Sequence, residues 1–230
     1  MTPAPPSPHR CAVVAGASGL VGRELVRRLL REPRYRGIFA LSRKPLATVD
    51  PRLEVVAAAF DRLPHVLQGV ESAGASIDVF CCLGTTIGVA GSREAFRQVD
   101  HDYVLALGRW AQRAGARRMV VVSALGADPD SRVFYNRVKG ETERDLAALG
   151  LPSLVIARPS LLAGERAEFR PGERLALLAT RPLRALIPAR IRPIAAEDVA
   201  QALVDAALAD VPPSIVESAA MQGAAQRARA

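Results

Sequence analysis

The stretch Gly16-Ala17-Ser18-Gly19-Leu20-Val21-Gly22 decides the fold that this sequence predicts. It follows an apolar, strand-like run at residues 11–15 and leads into an amphipathic, helix-like run at residues 20–30. A strand, a glycine turn and a helix in this order are the context of a dinucleotide-binding fingerprint. The first glycine permits a tight turn, the second admits a pyrophosphate, and the third lets helix and strand pack closely. A glycine turn that serves packing alone has the same spacing, so that alternative stays open here.

Length and composition predict a single folded domain. Half of the 230 residues are hydrophobic, which supplies enough apolar mass for one compact core. The net charge of +8 raises the question of nucleic-acid binding. The charges are spread along the chain without a dense basic block, and all but Lys44 and Lys139 of the 31 cationic residues are arginines. We therefore predict no specific nucleic-acid partner, and at most a non-specific attraction.

Three features of the sequence bear on where in the cell the protein resides. Cys11, Cys81 and Cys82 lie in apolar runs without C-x-x-C spacing or nearby histidines, which predicts buried, reduced thiols rather than disulfides or a metal site. Residues 1–9 are proline-rich and lack the apolar core of a signal peptide, so we expect a disordered leader. No run approaches the ~20 apolar residues of a membrane span. These features predict a cytoplasmic protein with no membrane partner.

Strand-like and helix-like runs alternate along the chain. Beyond the first strand, the predicted strands are residues 37–41, 53–59, 77–83, 118–123 and 153–157. The predicted helices include residues 61–70, 93–114, 135–149 and 196–208. This rhythm predicts an α/β fold, a doubly wound parallel sheet of the Rossmann type with helices on both faces, in one domain over residues 10–221. Three prolines in residues 165–191 predict a small C-terminal cap over the sheet edge, and residues 222–230 are expected to be a disordered tail.

A basic turn follows the second predicted strand and bears on the choice of cofactor. Ser42, Arg43 and Lys44 stand about 20 residues past the glycines, where an NAD-binding site carries an acid for the ribose 2′-hydroxyl. No acid stands beside them, and a cation at this place accommodates a 2′-phosphate. The turn predicts NADP(H), with a solvated basic turn before Pro45 as the alternative.

Tyr135 and Lys139 form the second decisive pattern. Four residues apart on a helix they share one face, where an ammonium favours the phenolate and readies a tyrosine for proton exchange with a carbonyl or alcohol. Lys139 is one of two lysines in an arginine-rich chain, which suggests a need for a compact point charge. Ser123 ends the fifth predicted strand, at the ligand edge of the sheet, where a hydroxyl can hold a substrate oxygen. An ordinary helix-face pair is the alternative interpretation of Tyr135 and Lys139.

The glycine turn, Ser123, Tyr135 and Lys139 resemble, in order and spacing, the short-chain dehydrogenase/reductase superfamily. Three further stretches are similar to its atypical branch that includes the Tat-interacting proteins: Phe80-Cys81-Cys82-Leu83-Gly84-Thr85-Thr86, Val99-Asp100-His101-Asp102-Tyr103-Val104 and Arg170-Pro171-Gly172-Glu173. The resemblance covers about residues 10–210. It implies a Rossmann fold with NADP(H), in which Ser123 holds the substrate oxygen, Tyr135 is the acid/base, and Lys139 binds the nicotinamide ribose and tunes Tyr135.

The resemblance also implies an adenosine side and a nicotinamide side of the cofactor site. With the residues identified above, the expected cofactor-binding residues are Gly16, Ser18, Gly19, Leu20, Val21, Gly22, Ser42, Arg43, Lys44, Phe60, Asp61, Leu83, Gly84, Thr85, Lys139, Arg158 and Pro159. One position departs from the superfamily, because Ala59 stands where an acid usually ends the third strand and contacts the adenine. Either Asp61 reaches the adenine from a shifted place, or backbone alone makes the contact.

The function predicted from these residues is an NADP(H)-dependent oxidoreductase that transfers a hydride between nicotinamide and a small carbonyl or alcohol. An epimerase or dehydratase on the same scaffold is one alternative, and an NADPH-sensing regulatory or interaction protein is another. We expect a monomer or a homodimer, because dimers are the commonest oligomers. For His101, beside Asp100 and Asp102, we predict only a structural role, since adjacent helix residues do not face each other.

Overall fold

Parallel strands build the core of the computed structural model, which describes residues 9–71, 76–163, 188–212 and 214–229. The described strands are β1 (Arg10–Ala15), β2 (Tyr35–Ser42), β3 (Leu53–Ala57), β4 (Ser76–Cys81), β5 (Arg118–Val122), β6 (Leu154–Arg158), β7 (Leu162–Ala163), β8 (Ile194–Ala195) and β9 (Ile215–Glu217). Seven of them form one sheet in the order β3-β2-β1-β4-β5-β6-β9, and β7 pairs with β8. The strand order reverses between β1 and β4, because β2 and β3 lie on one side of β1 and β4 to β6 lie on the other. In such sheets ligands bind outside the carboxyl ends of the strands at this switch point.

Helices cover both faces of this sheet. The described helices are α1 (Leu20–Arg31), α2 (Leu63–Val66), α3 (Gln68–Glu71), α4 (Ile87–Ala90), α5 (Arg93–Arg97), α6 (Tyr103–Arg113), α7 (Phe134–Ala147), α8 (Ala196–Leu208) and α9 (Ser218–Arg229). A π-helical turn, Gln98–Asp102, joins α5 to α6. The predicted doubly wound α/β architecture is confirmed.

The central strands are buried on both faces, which explains their nearly continuous apolar sequences. Along β1, Ala12 and Val14 belong to the core cluster packed with α1 and α8. Val13 and Ala15 point the other way, into the cluster packed with α6 and α7. Successive side chains of a strand face opposite sides, so each strand serves two cores.

The predicted helix at residues 93–114 is interrupted. The π turn adds a residue to one turn, and its buried members Asp100 and His101 pair with Lys139 and Asp145 of α7. Apolar periodicity carries no signal for such an inserted residue. The predicted helix at 61–70 is also divided, into the single turns α2 and α3; a proline stands in the first turn of α2.

The tail expected to be disordered from residue 222 is helical through Arg229. Met221 is buried in the core, and the Gln222 amide donates hydrogen bonds to the carbonyls of Ala189 and Arg192 at 3.0 and 2.9 Å. Alanine-rich segments favour helix even without apolar periodicity. Residues 1–8 of the expected leader and residues 164–187 of the expected cap lie outside the described residues.

Two of the three cysteines lie on the strands that flank the switch point. Cys11 of β1 and Cys81 of β4 are buried, as predicted, and these strands pair directly. Cys82 departs from the prediction, because it follows the end of β4 and is only half-buried.

Candidate active site

At the first and last glycines of the turn, the protein's own backbone leaves no room for a side chain. Gly16 has a φ of +78°, and a β-carbon there would lie 2.5 Å from the carbonyl oxygen of Cys82. A β-carbon on Gly22 would lie 2.1 Å from the carbonyl oxygen of Gly16. Both distances are far below ordinary contact, so these two positions hold the turn against β4 and α1.

Gly19 is constrained differently. It is exposed and has an ordinary φ of −75°, and a β-carbon there would lie 3.3 Å from the Gly16 carbonyl oxygen. It is the N-cap residue of α1, and the first turn of this fully described helix has no acidic residue. Free N–H groups and the helix dipole at such a terminus favour an anion. This open, side-chain-free place fits a pyrophosphate, with Ser18, Leu20 and Val21 beside it.

The basic turn after β2 is shaped by Ser42. The buried Ser42 hydroxyl donates a hydrogen bond to the Lys44 carbonyl at 2.6 Å and accepts one from the Lys44 N–H at 3.2 Å. Arg43 and Lys44 are exposed. The hydroxyl of Ser42 is thus used within its own turn, which presents two cations at the carboxyl end of β2.

Phe60 and Asp61 follow β3 at the same edge. The Phe60 ring stacks on Tyr103, with centroids 4.7 Å apart and planes 13° from parallel. The Asp61 side chain is 80% exposed and lies 3.8 Å from Arg62. Phe60 is therefore held by packing, whereas Asp61 stands at the rim; its adenine contact stays a prediction.

Lys139 is buried beside a carboxylate that the sequence interpretation missed. Its Nζ lies 2.8 Å from Oδ1 of Asp100, and both side chains are almost completely buried. Asp100 Oδ2 accepts a hydrogen bond from the backbone N–H of Thr85 at 2.9 Å. Gly84 lies alongside, since a β-carbon there would be 4.0 Å from the Lys139 Nζ. The structure thus joins Gly84, Thr85 and Lys139 through Asp100.

Two opposing effects act on the ammonium. Burial by itself lowers the pKa of Lys139, because a charged group loses hydration. The Asp100 carboxylate, together with Tyr135 and Cys81, outweighs this and raises the pKa above the ordinary lysine value. Lys139 is therefore a charged group at neutral pH.

A sequence signal for Asp100 existed. Phe96, Asp100 and Val104 recur at intervals of four, and the first and last are core residues. A carboxylate on the buried face of a helix requires a partner, which predicts a cation within reach.

Tyr135 and Ser123 complete the expected catalytic set. Tyr135 is half-buried one helical turn before Lys139, and its ring packs on Phe96 at 5.6 Å between centroids. Ser123 directly follows β5, and its N–H donates to the Ala157 carbonyl at 2.7 Å. The Ser123 Oγ is buried and has no hydrogen-bond partner among the described residues. An orphaned hydroxyl at the ligand edge of the sheet fits a site that receives a substrate oxygen.

Arg158 ends β6 and is held by carboxylates. Its Nε donates to Glu143 at 3.1 and 3.2 Å, and its Nη1 lies 3.6 Å from Glu217. These contacts, led by the hydrogen bonds to Glu143, raise the pKa of Arg158. Pro159 is buried, with its carbonyl accepting from Leu125 N–H at 2.9 Å. The cofactor contacts of Arg158 and Pro159 stay predictions, and the Arg158–Glu143 pair was not foreseen.

His101 does face its neighbour, contrary to the sequence expectation. Its Nδ1 lies 2.7 Å from Asp102, and its Nε2 lies 3.0 Å from Asp145 of α7. The π turn changes the angular offset of adjacent residues, so the rule for a regular helix fails here. In the described residues, no group of three or more His, Cys, Asp or Glu side chains is arranged to hold a metal ion.

A protein-family model described as NAD(P)H-binding matches residues 16–210. Among curated relatives, the protein FMP52, mitochondrial, of Eremothecium gossypii is 38% identical over 163 residues, which is 70% of each chain. The protein of the same name from Saccharomyces cerevisiae is 32% identical over 178 residues, 75% of this chain and 76% of the relative.

Solved structures share the fold at low identity. A short-chain dehydrogenase from Burkholderia cenocepacia in complex with NADP is 18% identical, with a TM-score of 0.62 over 97% of this chain and 94% of that one. MoeE5 in complex with UDP-glucose and NAD is 19% identical, with a TM-score of 0.65 over 89% of this chain and 74% of that one.

The relatives contradict one prediction. Their names place them in mitochondria, so the prediction of a cytoplasmic protein is wrong. Across the part of the chain that the structure describes, no helix is both long and apolar enough to cross a membrane.

Proposed function

Because this chain belongs to the NAD(P)H-binding family and has the Rossmann fold of short-chain dehydrogenases, we propose that it is an NADP(H)-dependent oxidoreductase acting on a small carbonyl or alcohol. The observation that carries the proposal is the Ser123 hydroxyl, buried without a partner among the described residues at the edge where Tyr135 and Lys139 stand. Leaving a buried hydroxyl unpaired costs about 1–3 kcal/mol, which a bound substrate oxygen would recover.

Each side chain has a task in this proposal. Ser123 and Tyr135 hold the substrate oxygen by hydrogen bonds. In reduction the Tyr135 hydroxyl donates its proton to that oxygen, and in oxidation the deprotonated tyrosine accepts it. Lys139 holds the nicotinamide ribose with its remaining N–H donors. The bound cofactor supplies the hydride, and the protein supplies position and electrostatics.

The choice of NADP(H) over NAD(H) rests on the exposed cations after β2. Arg43 and Lys44 stand free of acidic neighbours in the turn that Ser42 shapes. A 2′-phosphate placed there would gain charge-assisted hydrogen bonds that a 2′-hydroxyl lacks.

The proposal is tested by single-turnover kinetics with NADPH and a panel of small aldehydes and ketones. Tyr135→Phe removes only a hydroxyl, so it should leave NADPH affinity nearly unchanged and slow turnover by ~10²–10⁴. Ser123→Ala should also slow turnover, because the substrate oxygen loses a donor. Tyr103→Phe is the matched control, since it also removes only a phenolic hydroxyl and keeps the ring that stacks on Phe60, and it should retain the parent rate.

Two outcomes would argue against this function. A Tyr135→Phe variant that turns over at the parent rate would exclude Tyr135 as the acid/base. A parent protein that binds NADPH tightly but reduces nothing in a broad panel would instead favour a cofactor-sensing role.

A further inference from the structure

Asp100 is a buried carboxylate that connects three separate elements. Its side chain is 0% exposed, and Oδ1 lies 2.8 Å from the Lys139 Nζ on α7. Oδ2 accepts from the Thr85 N–H after β4, at 2.9 Å. The backbone carbonyl of Asp100 accepts from the Thr142 hydroxyl at 3.0 Å. The carboxylate itself is therefore held by Lys139 and Thr85 before any ligand is considered, whereas Thr142 contacts only the backbone of the turn.

The π turn is what brings this carboxylate to Lys139. It lies between α5 and α6, and both Asp100 and His101 within it are buried. A π turn inserts one residue into a helix and is frequent at functional sites, because it redirects side chains without ending the helix. In this chain the inserted turn faces α7, where Lys139, Thr142 and Asp145 contact it.

The Lys139 ammonium has more N–H donors than Asp100 occupies. An ammonium has three N–H donors, and the ion pair with Asp100 Oδ1 at 2.8 Å occupies at most one of them. Gly84 lies on the exposed side of the pair, where a β-carbon would be 3.7 Å from Asp100 Oδ1 and 4.0 Å from the Lys139 Nζ. Among the described residues, at least two donors therefore remain for a ligand next to a position that carries no side chain.

We propose that Asp100 is a positioning residue of this site: its carboxylate holds Lys139 as a charged, immobile ammonium against Gly84 and Thr85, and so presents the two remaining donors to the cofactor ribose. The pairing of Asp100 with Lys139 stands on geometry alone, and only its purpose rests on the proposed function. In the part of the chain that the structure describes, the titratable and charged groups that act on this ammonium are Asp100 of the π turn, Cys81 of β4 and Tyr135 of α7 itself.

The chain is suited to a direct test, because Lys44 and Lys139 are its only lysines. In protein labelled with ¹⁵N-lysine, the Lys139 Nζ signal is the one that persists in Lys44→Arg. Its titration is followed through the alkaline range in the parent, in Asp100→Asn and in Thr142→Val. Thr142→Val is the matched control, because it removes the contact to the Asp100 backbone and leaves the carboxylate in place.

The parent should titrate above an ordinary lysine, and Asp100→Asn should lower the titration midpoint by at least about one pH unit, since the buried ammonium loses its partner. Thr142→Val should titrate like the parent. An unchanged midpoint in Asp100→Asn, or an equal fall in Thr142→Val, would overturn the proposal, because a merely structural role predicts one or the other.

NADPH affinity, measured by nicotinamide fluorescence, tests the purpose of the pair. Asp100→Asn should weaken binding about tenfold or more, and Thr142→Val should not. Asp100→Glu keeps the charge and displaces it by one methylene, so it should retain a charged Lys139 yet bind NADPH more weakly. Parent-like affinity in both Asp100 variants would refute positioning for the cofactor. A parent that shows the paired ammonium but binds no NADPH would refute the proposed function and leave the pairing itself intact.

Discussion

Replacing Gly22 by alanine should destabilise the protein, whereas the same replacement at Gly19 should preserve the fold and abolish much of the cofactor binding. The two glycines stand three residues apart in one turn, so they form a matched pair. They differ in what a side chain would meet. A β-carbon would lie 2.1 Å from the Gly16 oxygen at position 22 but 3.3 Å from that atom at position 19.

The size of the effect follows from these distances. Contacts below 3.0 Å essentially do not occur for a β-carbon, so Gly22→Ala forces the backbone apart between α1 and the turn. Overpacking of this kind costs about 1–3 kcal/mol or more, which lowers the unfolding temperature by about 2–12 °C for a domain of this size. At Gly19 the φ of −75° suits alanine. There the loss of a preferred N-cap residue and the lower entropy of the unfolded chain roughly cancel, each at about 0.5–1 kcal/mol.

Thermal unfolding without cofactor and NADPH titration by fluorescence separate the two effects. Gly22→Ala should unfold early, and Gly19→Ala should unfold near the parent temperature. Gly19→Ala should bind NADPH at least about tenfold more weakly, because a methyl group would occupy the approach of the pyrophosphate. The reasoning is refuted if Gly22→Ala is as stable as the parent, or if Gly19→Ala binds NADPH with parent affinity.

Two further predictions concern the cofactor preference and the thiols. The parent should bind NADPH more tightly than NADH by about 1.5–3 kcal/mol. Arg43→Ala should remove much of that difference, whereas the control Arg31→Ala, at the exposed end of α1, should not. Equal affinities of the parent for the two cofactors would contradict the assignment of NADP(H). Burial raises the pKa of the Cys11 and Cys81 thiols, that of Cys81 to about 11, so a thiol reagent near neutral pH should label these two slowly until the protein is unfolded. Rapid labelling of Cys11 and Cys81 in the folded protein would show that this environment is misassigned.

Much of the architecture was predictable because its signals are local. The glycine turn, the apolar strands and the alternation of strands with helices lie in short windows, and they predicted the parallel sheet correctly. The misjudged segments carry weak or misleading local signals. The helix α9 lacks apolar periodicity, and it is held by Met221 and by the contacts of Gln222 to residues far away in sequence.

Within the candidate site, too, local spacing predicted some residues and missed the pairs between separate elements. Tyr135 and Lys139 were identified because helical spacing brings them to one face. The sequence placed Asp100 in a motif without its partner Lys139, and it gave no sign that Arg158 pairs with Glu143. Both involve partners on other elements, and spacing along one element does not encode such a pair.

The sequence by itself determined the type of fold, the dinucleotide turn and the order of the proposed catalytic residues, because strand alternation, helical periodicity and glycine positions are properties of consecutive residues. The tertiary structure decided the electrostatics of the site. Lys139 is charged although it is buried, because the π turn between α5 and α6 sets Asp100 against Lys139 on α7. The Thr85 N–H, which follows β4, binds the other oxygen of the same carboxylate. A buried charge depends on partners brought together by packing, and that packing exists only in the folded chain.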